Sequence, residues 1–294
     1  MAKTAIYLLN QKEITDINSK MVVSNLFIKW KEEILKAYDG VEFLEDSHQY
    51  FLNGVELEPV SHVIHNFQPE ENWDLIAENY ARKNKLELET VKRSWFINNK
   101  ISTNSGTHTH EFGESCFYYY TGQFDKVLSA YKRQIEEGFL IPNSNKEIAL
   151  SKFWNDLIQM EGVIPMLAET RVHTANISGL YPYCGTFDLL IYFKFKNGTE
   201  GLIIFDYKTN GELTNDYNRK NNKTLLPPFN GLTNEAMSLY TLQLSAYQIP
   251  IQKQLNIPIL GRRIVWLKDN GTYEIIPTED KTDELFNVLS TKIA

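Results

Sequence analysis

Three charged residues, Asp188, Asp206 and Lys208, flank two stretches of the sequence that are otherwise apolar and aromatic. The first stretch covers residues 189–195 and the second covers residues 202–205. Burying a charge without a partner is costly, so carboxylates at the ends of buried strands need a cation, a salt bridge or a chemical role. These residue types therefore predict either a divalent-cation site or a buried Asp–Lys ion pair.

The turn between the two stretches decides whether both aspartates can face one cation. A three-residue loop, 196–198, with its glycine in the left-handed conformation, would place Asp188 directly opposite Asp206. Their Cβ atoms would then be roughly 5 Å apart, with Lys208 on the same face. A two-residue Asn-Gly turn would instead oppose Asp188 to Tyr207 and separate the carboxylates. Because two close carboxylates repel each other unless a divalent cation lies between them, a metal site requires the three-residue loop or a bulge.

The arrangement Gly-Thr-Phe-Asp, 17 residues, then Asp-Tyr-Lys resembles the central motif of the PD-(D/E)xK nuclease superfamily. Further elements of that pattern occur in the expected order, and they are similar to those of its RecB-like and phage-type exonuclease branch. They are Gly106-x-x-x-His110, Glu169 at the start of a strand-like segment to His173, and Gln243-x-x-x-Tyr247. The segment around His48 and Val60-Ser61 extends the resemblance, more weakly, to about residue 41.

The resemblance implies a site for one or two Mg²⁺ or Mn²⁺ ions and no iron–sulfur cluster. Its implied metal ligands are Asp188, Asp206, Glu169, His110 and the backbone carbonyl of Tyr207. Oxygen ligands of this kind are those that hard cations prefer. Lys208 would act with the three carboxylates in catalysis, by acidifying the attacking water and stabilising charge in the transition state.

The histidine assignment rests on spacing, because the Gly-x-x-x-His pattern counted from Gly106 selects His110 and not His108. A helix is predicted to begin at about Gly106, so His110 could instead be a histidine of the helix N-terminus that bonds the backbone. A zinc site formed by both histidines and Cys116 is a third possibility, but its spacing fits no standard zinc motif.

Two groups of residues are candidates for substrate binding. Gln243 and Tyr247 share one face of a helix predicted over residues 235–248, and the resemblance implies that they orient the substrate backbone and Lys208. At such positions, ordinary helix residues are the alternative. The connection 209–234 is predicted to lack secondary structure of its own, and connections of that length are usually functional or disordered. Its basic residues are either phosphate contacts or solvated side chains: Arg219, Lys220 and Lys223.

The implied fold is α/β, a restriction-endonuclease-like core in αβββαβ order. We expect a mixed central sheet flanked by helices and a helical N-terminal elaboration. Residues 1–40 form the predicted accessory segment and residues 41–294 the predicted nuclease domain. The chain of 294 residues, 43% of them hydrophobic, is long enough to bury a substantial core.

Composition narrows the classes of function. The formal charge of −7 gives no overall attraction to nucleic acid, so any DNA contact must depend on local features. The two cysteines, Cys116 and Cys184, are predicted to be buried thiols and are too few for a four-thiolate cluster. The sequence has no run of 18 apolar residues, so we expect no membrane partner and a cytoplasmic location, in the host if the chain is phage-encoded.

The leading interpretation is a metal-dependent deoxyribonuclease, an exonuclease that hydrolyses phosphodiester bonds in phage-type recombination, replication or repair. Its partners would be single- or double-stranded DNA and a recombination or replication protein. Two alternatives remain open. One is a structure-specific endonuclease of the same fold, and the other is a nuclease-fold protein that binds DNA or a partner without cutting.

Overall fold

A computed structural model describes residues 9–44 and 49–291 of the chain. His48, part of the weaker N-terminal resemblance, lies outside the described residues. The helices are α1 (Gln11–Asn18), α2 (Asn25–Ala37), α3 (Val60–His65), α4 (Trp73–Asn84), α5 (Leu88–Tyr120), α6 (Lys132–Glu136), α7 (Asn145–Leu157), α8 (Asp216–Lys220), α9 (Ala236–Ile249) and α10 (Thr282–Thr291). The strands are β1 (Val41–Leu44), β2 (Gln49–Leu52), β3 (Val55–Pro59), β4 (Val163–His173), β5 (Tyr183–Lys194), β6 (Glu200–Lys208), β7 (Ile259–Leu267) and β8 (Tyr273–Pro277).

The strands form one mixed sheet in the order β1-β2-β3-β5-β6-β7-β8, and β4 pairs with β5 outside that path. The β3–β5 and β6–β7 pairs are parallel, whereas the other pairs are antiparallel. Helices cover both faces of the sheet. The prediction of an α/β protein with a mixed sheet flanked by helices is therefore confirmed.

Two hydrophobic cores, one on each face of the sheet, hold the helices in place. The first core packs the sheet against α2, α3, α9 and α10, with Ile34 and Leu244 among its fully buried members. The second core packs the sheet against α5 and α7, around Phe112 and Trp154. Side chains of β5 pack alternately in the first and the second core, because successive side chains of a strand point to opposite faces.

The described part of the N-terminal segment contributes to both cores. Ile14 of α1 belongs to the second core, and Trp30 and Ile34 of α2 belong to the first. A cavity of about 300 Å³ lies between the end of α2, β1 and β4, and Glu169 is one of its lining residues. The division of the chain at residue 40 stays a prediction.

The helix predicted to begin near Gly106 does not begin there. The structure has a single helix, α5, through this region. The hydroxyls of Thr107 and Thr109 donate to the carbonyls of Thr103 and Ser105 one turn earlier, at 3.2 and 2.8 Å. Such bonds let threonine occupy a helix interior, so His110 lies well inside α5.

The connection 209–234 also differs from the prediction, because it has structure of its own. It contains α8 and an isolated bridge between Thr224 and Thr233. Leu225 and Phe229 are buried in the first core, and this anchors the segment against the body of the protein. The helix that follows, α9, begins close to its predicted start; its α-helical part ends at Ile249, and a π-helical segment, Pro250–Gln254, continues it.

Both cysteines are buried free thiols, as predicted. Among the described residues, no helix combines the length and the apolar character that spanning a membrane requires.

Candidate active site

The β5–β6 hairpin has the register that a shared site requires. Strand pairing joins Leu189 to Phe205 and Lys194 to Glu200. The Gly198 N–H donates to the carbonyl of Phe195 at 2.9 Å, and Gly198 has φ +88°. The loop thus has three residues with a left-handed glycine, and the register that it was predicted to set is confirmed up to the Leu189–Phe205 pair, one position before Asp188 and Asp206.

The two strands part immediately after the Leu189–Phe205 pair, although both continue. Strand β4 pairs along almost all of β5, so β3 and β6 share its other edge. The Gly-Thr-Phe-Asp segment, 185–188, lies in the gap between them. Here the carboxylate of Asp188 takes the place of a backbone acceptor, because it accepts a short hydrogen bond from the Tyr207 N–H.

The side-chain alternation of β5 also changes at Asp188. Phe187 and Leu190 pack in the first core, whereas Leu189 packs in the second. Residues two apart on a regular strand share a face, so Phe187 and Leu189 should not be separated in this way. The strand is therefore distorted at the position of the aspartate, which frees its carboxylate from the two cores.

Glu169 occupies the equivalent position on β4. The neighbouring pairs, Ala168 with Leu189 and Thr170 with Phe187, place it in register with Asp188. Its backbone has φ +43°, a left-handed conformation that is uncommon for a residue other than glycine. Such conformations cost about 1 kcal/mol or more and are concentrated at functional sites. Glu169, Asp188 and Asp206 therefore stand at matching positions on three neighbouring strands.

His110 reaches this line of carboxylates from α5. Its Nδ1 atom lies 3.1 Å from Asp188 Oδ1 and 3.9 Å from Glu169 Oε1. Gly113, one turn later, lets the helix approach the sheet, because a Cβ at this position would lie 2.6 Å from a ring carbon of Tyr207. His110 thus does not bond the backbone at a helix start. His108, by contrast, is exposed and pairs with Glu111, so the three residues of the zinc alternative do not converge.

We call His110, Glu169 and Asp188 the acidic cluster. Each offers one ligand atom, and these atoms lie within 4.8 Å of one another. The charges of the cluster act strongly on each other. Burial alone would lower the pKa of His110, but the charge and hydrogen bond of Asp188 raise it to about 9. Burial opposes the ionisation of Asp188, yet the adjacent imidazolium holds the pKa of that carboxyl below its usual value.

In the described part of the chain, one oxygen of the acidic cluster lacks a hydrogen-bond partner, which leaves it available to a divalent cation. Glu169 Oε1 is buried and has no hydrogen-bond partner among the described residues. Burial and the negative charge of Asp188 raise the pKa of Glu169 well above its ordinary value. The two carboxylates are oxygen donors of the kind that Mg²⁺ and Mn²⁺ prefer, and His110 can add a nitrogen donor once it has lost its proton. The donor set therefore fits the predicted ions.

Asp206 lies beside the acidic cluster but is held by Lys208. Its Oδ2 atom is 2.5 Å from Lys208 Nζ, and the two side chains are 3% and 13% exposed. Lys208 Nζ also donates to Gln243 Oε1 at 3.3 Å, and Gln243 Nε2 donates to the hydroxyl of Tyr247 at 2.7 Å. The ammonium group stands 4.2 Å from the centre of the Tyr240 ring. We call these five residues the lysine cluster.

The lysine cluster keeps its ammonium charged. Burial would lower the pKa of Lys208, but the charges around it, with Asp206 the strongest, raise it. Burial is also the main reason that the pKa of Asp206 rises to about 6, with Lys208 opposing that rise and Asp188 adding to it. The two clusters are therefore neighbours that share an electric field.

Gly185, the first residue of the Gly-Thr-Phe-Asp motif, makes room for this arrangement. A Cβ at Gly185 would lie 2.6 Å from a ring carbon of Tyr247. Only a residue without a side chain permits this approach of α9 to β5. The glycine thus allows Tyr247 to sit where it can hold Gln243.

Comparison with protein-family models and with curated proteins found no match for this chain.

The basic residues of the connection 209–234 are not part of either cluster. Arg219 forms a two-point ion pair with Glu235, at 2.9 and 2.7 Å. Lys223 Nζ stands 4.9 Å from the centre of the Tyr217 ring, and Lys220 is exposed. Within the described residues, no hydrogen bond or ion pair joins any of the three to the acidic cluster. Their role in substrate binding stays a prediction. The role of the Tyr207 carbonyl as a metal ligand also stays a prediction, because the contact that the structure shows is the hydrogen bond from the Tyr207 N–H to Asp188.

Two features of the site were missed from the sequence. Tyr240 lies three residues before Gln243 and seven before Tyr247, so helical spacing could have placed all three on one face. Asn210 accepts a hydrogen bond from the Tyr240 hydroxyl at 2.7 Å. That contact joins the start of a long connection to a helix 30 residues later, and no local pattern signals it.

Proposed function

We propose that this chain is a divalent-metal-dependent deoxyribonuclease of the PD-(D/E)xK type. The observation that carries the proposal is the alignment of Glu169, Asp188 and Asp206 on three neighbouring strands, at the point where two of those strands part. A lysine pairs with one of the three carboxylates and a histidine with another. A buried ion pair alone would not require the strained Glu169 backbone or its unpartnered oxygen.

The order of the elements supports a restriction-endonuclease-like core. Helix α7 is followed by β4, β5 and β6, then by α9 and β7 among the major elements. This succession corresponds to the αβββαβ order expected for such a core. The three middle strands carry the aligned carboxylates and Lys208, while α9 carries Gln243 and Tyr247.

The residues of the two clusters have separate tasks in this proposal. His110, Glu169 and Asp188 would hold the ion, with Asp206 and the Tyr207 carbonyl as further donors. A bound divalent cation supplies Lewis acidity to the phosphodiester and acidifies a water molecule. Lys208 presents a fixed positive charge to the phosphate, where negative charge increases in the transition state. Asp206, Gln243 and Tyr240 hold that ammonium in position.

The biological setting follows the same resemblance. We infer an exonuclease that acts on DNA in phage-type recombination, replication or repair, in the cytoplasm, together with a recombination or replication protein. The negative charge of the chain leaves attraction of DNA to local groups and to the bound cation.

The test is digestion of end-labelled linear DNA, single- and double-stranded, with Mg²⁺, Mn²⁺ or EDTA. We expect metal-dependent cleavage that falls at least about 100-fold in Lys208→Ala, because a positioned group that stabilises transition-state charge is worth that much. Lys196→Ala, an exposed lysine in the β5–β6 turn, is the matched control and should cleave normally. Absence of metal-dependent cleavage, or equal rates for wild type and Lys208→Ala, would refute the proposal.

A closed circular substrate separates the two kinds of nuclease. An exonuclease requires an end, so we expect the circle to survive while the linear form of the same DNA is degraded. Cleavage of the circle would assign the site to an endonuclease instead.

A further inference from the structure

A cavity of about 590 Å³ opens beside the lysine cluster, and Tyr240 and Gln243 form part of its wall. The remaining wall comes from α3 and the segment after it, from the connection 209–235 and from the first turn of α9. Its volume lies within the range of roughly 300–1,000 Å³ that small-molecule sites occupy. The cavity is therefore large enough for a ligand group next to Lys208.

Carboxamide side chains dominate the polar part of this cavity. Six of its lining residues are asparagine or glutamine: Gln68, Asn210, Asn215, Asn218, Asn234 and Gln243. A carboxamide offers both a donor and an acceptor in one plane. Such groups recognise ligands that present donors and acceptors side by side.

Two of these carboxamides are nearly buried and only partly used by the protein. Asn234 Oδ1 accepts from Gln68 Nε2 at 3.0 Å, whereas its Nδ2 has no partner among the described residues. Asn218 Nδ2 donates to the Asn234 carbonyl at 2.5 Å, whereas its Oδ1 has no partner in the same part of the chain. Both side chains line the cavity, and each residue is 7% exposed. Neither atom is among the fully buried unpartnered polar atoms of the described residues, so both reach the solvent of the cavity, and one donor and one acceptor are left for a ligand.

The charge of the lining argues against a phosphate as the occupant. Two lining residues are acidic, Glu71 and Glu235, and His65 is the single lining residue that can carry a positive charge. Arg219 forms an ion pair with Glu235 and does not line the cavity. An anion would gain little in such a place, and a neutral polar group fits it better.

Aromatic rings complete the lining. Trp73 is 65% exposed at the start of α4, and its indole N–H makes no hydrogen bond to the described residues. The ring of Tyr240 also lies in the cavity wall, with the ammonium of Lys208 over it. Exposed aromatic side chains beside a nucleic-acid site provide surfaces on which bases stack.

We propose that this cavity holds an unpaired nucleobase of the DNA strand whose phosphate lies at Lys208. The base would stack on the aromatic lining while Asn218 and Asn234 bond its edge, as carboxamides do when they read bases. This inference rests on the proposed nuclease function and specifies its substrate. A base can enter only when it has left the helical stack, so the enzyme engages single-stranded or frayed DNA.

The test is a scan of abasic sites in a fluorescently labelled single-stranded oligonucleotide, with binding measured by anisotropy in EDTA. An abasic site keeps the sugar and phosphate and removes the base alone. We expect one position at which its introduction weakens binding to the wild-type protein by about tenfold, the typical value of one stacked base. The same substitution should have little further effect on Trp73→Ala or Asn234→Asp.

Asn234→Asp keeps the acceptor for Gln68 and removes the donor that faces the cavity, and Trp73→Ala changes an exposed side chain, so both should fold. Asn221→Ala is the matched control, because this exposed carboxamide lies in the same connection but outside the cavity. It should retain the full abasic penalty. No position with an abasic penalty, or an equal penalty in wild type and both variants, would overturn the proposal.

Titration with free deoxynucleosides, monitored by saturation-transfer NMR, separates this inference from the nuclease proposal. Binding that is lost in Asn234→Asp in a protein that cuts no DNA would support the base pocket and refute the nuclease. Metal-dependent cleavage by a protein that shows no abasic penalty in binding would support the nuclease proposal and refute the base pocket.

Discussion

The acidic cluster and the lysine cluster are adjacent, but they differ in how completely the protein satisfies them. Lys208 has an ion pair with Asp206, a hydrogen bond to Gln243 and the ring of Tyr240. In the acidic cluster, Glu169 has a strained backbone and an oxygen without a partner. Among the described residues, the lysine cluster pairs one carboxylate with one ammonium at 2.5 Å, whereas the acidic cluster sets two carboxylates against the single charge of His110.

This difference indicates which part of the site is built in advance. The ammonium of Lys208 is held in place by protein groups and needs no ligand to fix its position. The carboxylates of the acidic cluster repel each other, His110 offsets part of that repulsion, and an added divalent cation would offset more of it. The contrast makes opposite predictions for the metal-free protein. Loss of a carboxylate should destabilise it in the lysine cluster and should stabilise it in the acidic cluster.

Asp206→Asn should have the largest effect on stability. The substitution leaves the buried ammonium of Lys208 without its closest counter-charge, and breaking a buried pair in this way costs about 3 kcal/mol or more. Thermal and urea unfolding in EDTA would measure the loss.

The double variant Asp206→Asn with Lys208→Met is the control for that experiment. Because it removes both charges, it should recover much of the lost free energy of unfolding. If the single and double variants were equally unstable, the cost would come from packing and not from the ion pair.

Gly113→Ala should have an intermediate effect and should weaken the acidic cluster. The new methyl group would meet the ring of Tyr207 and push α5 away from the sheet. Overpacking of this kind costs about 1–3 kcal/mol. The displacement would also lengthen the contact between His110 and Asp188, so we expect weaker metal binding together with a lower melting temperature.

Gly106→Ala, on the same helix, is the matched control. Its Cβ would approach only Thr209 Oγ1, at 3.7 Å, an ordinary contact. Alanine is favoured over glycine in a helix by about 1 kcal/mol, so this variant should be as stable as wild type or more so. Equal destabilisation by both substitutions would show that the close contact between α5 and Tyr207 at Gly113 is not the cause of the loss.

Glu169→Gln should have the smallest effect, with the opposite sign to Asp206→Asn. In EDTA it replaces a carboxyl whose ionised form is destabilised by burial and by Asp188, and it supplies an amide donor, so we expect stabilisation by about 1 kcal/mol. With saturating Mn²⁺ the order should reverse, since the wild type gains more from the ion. Destabilisation by Glu169→Gln in EDTA would contradict the contrast between the clusters.

The sequence predicted the parts of this site that depend on local geometry. The loop 196–198 set the register of the hairpin up to the Leu189–Phe205 pair, and four-residue spacing placed Gln243 and Tyr247 on one helix face. The sequence did not predict the parting of β5 and β6 or the left-handed backbone of Glu169. Both arise from competition between neighbouring strands, which is a tertiary effect. Likewise, the helix start predicted near Gly106 was wrong, because the hydroxyls of Thr107 and Thr109 bond to carbonyls one turn earlier within α5.

The most direct test of the central claim is calorimetric titration of Mn²⁺ into three proteins in the absence of DNA: wild type, Asp188→Asn and Lys208→Met. We predict that wild type and Lys208→Met bind the ion, because the lysine cluster supplies no ligand that the variant removes. Asp188→Asn should lose binding, because Asp188 lies at the centre of the acidic cluster. Equal binding by Asp188→Asn and wild type, or no binding by any of the three, would contradict the account.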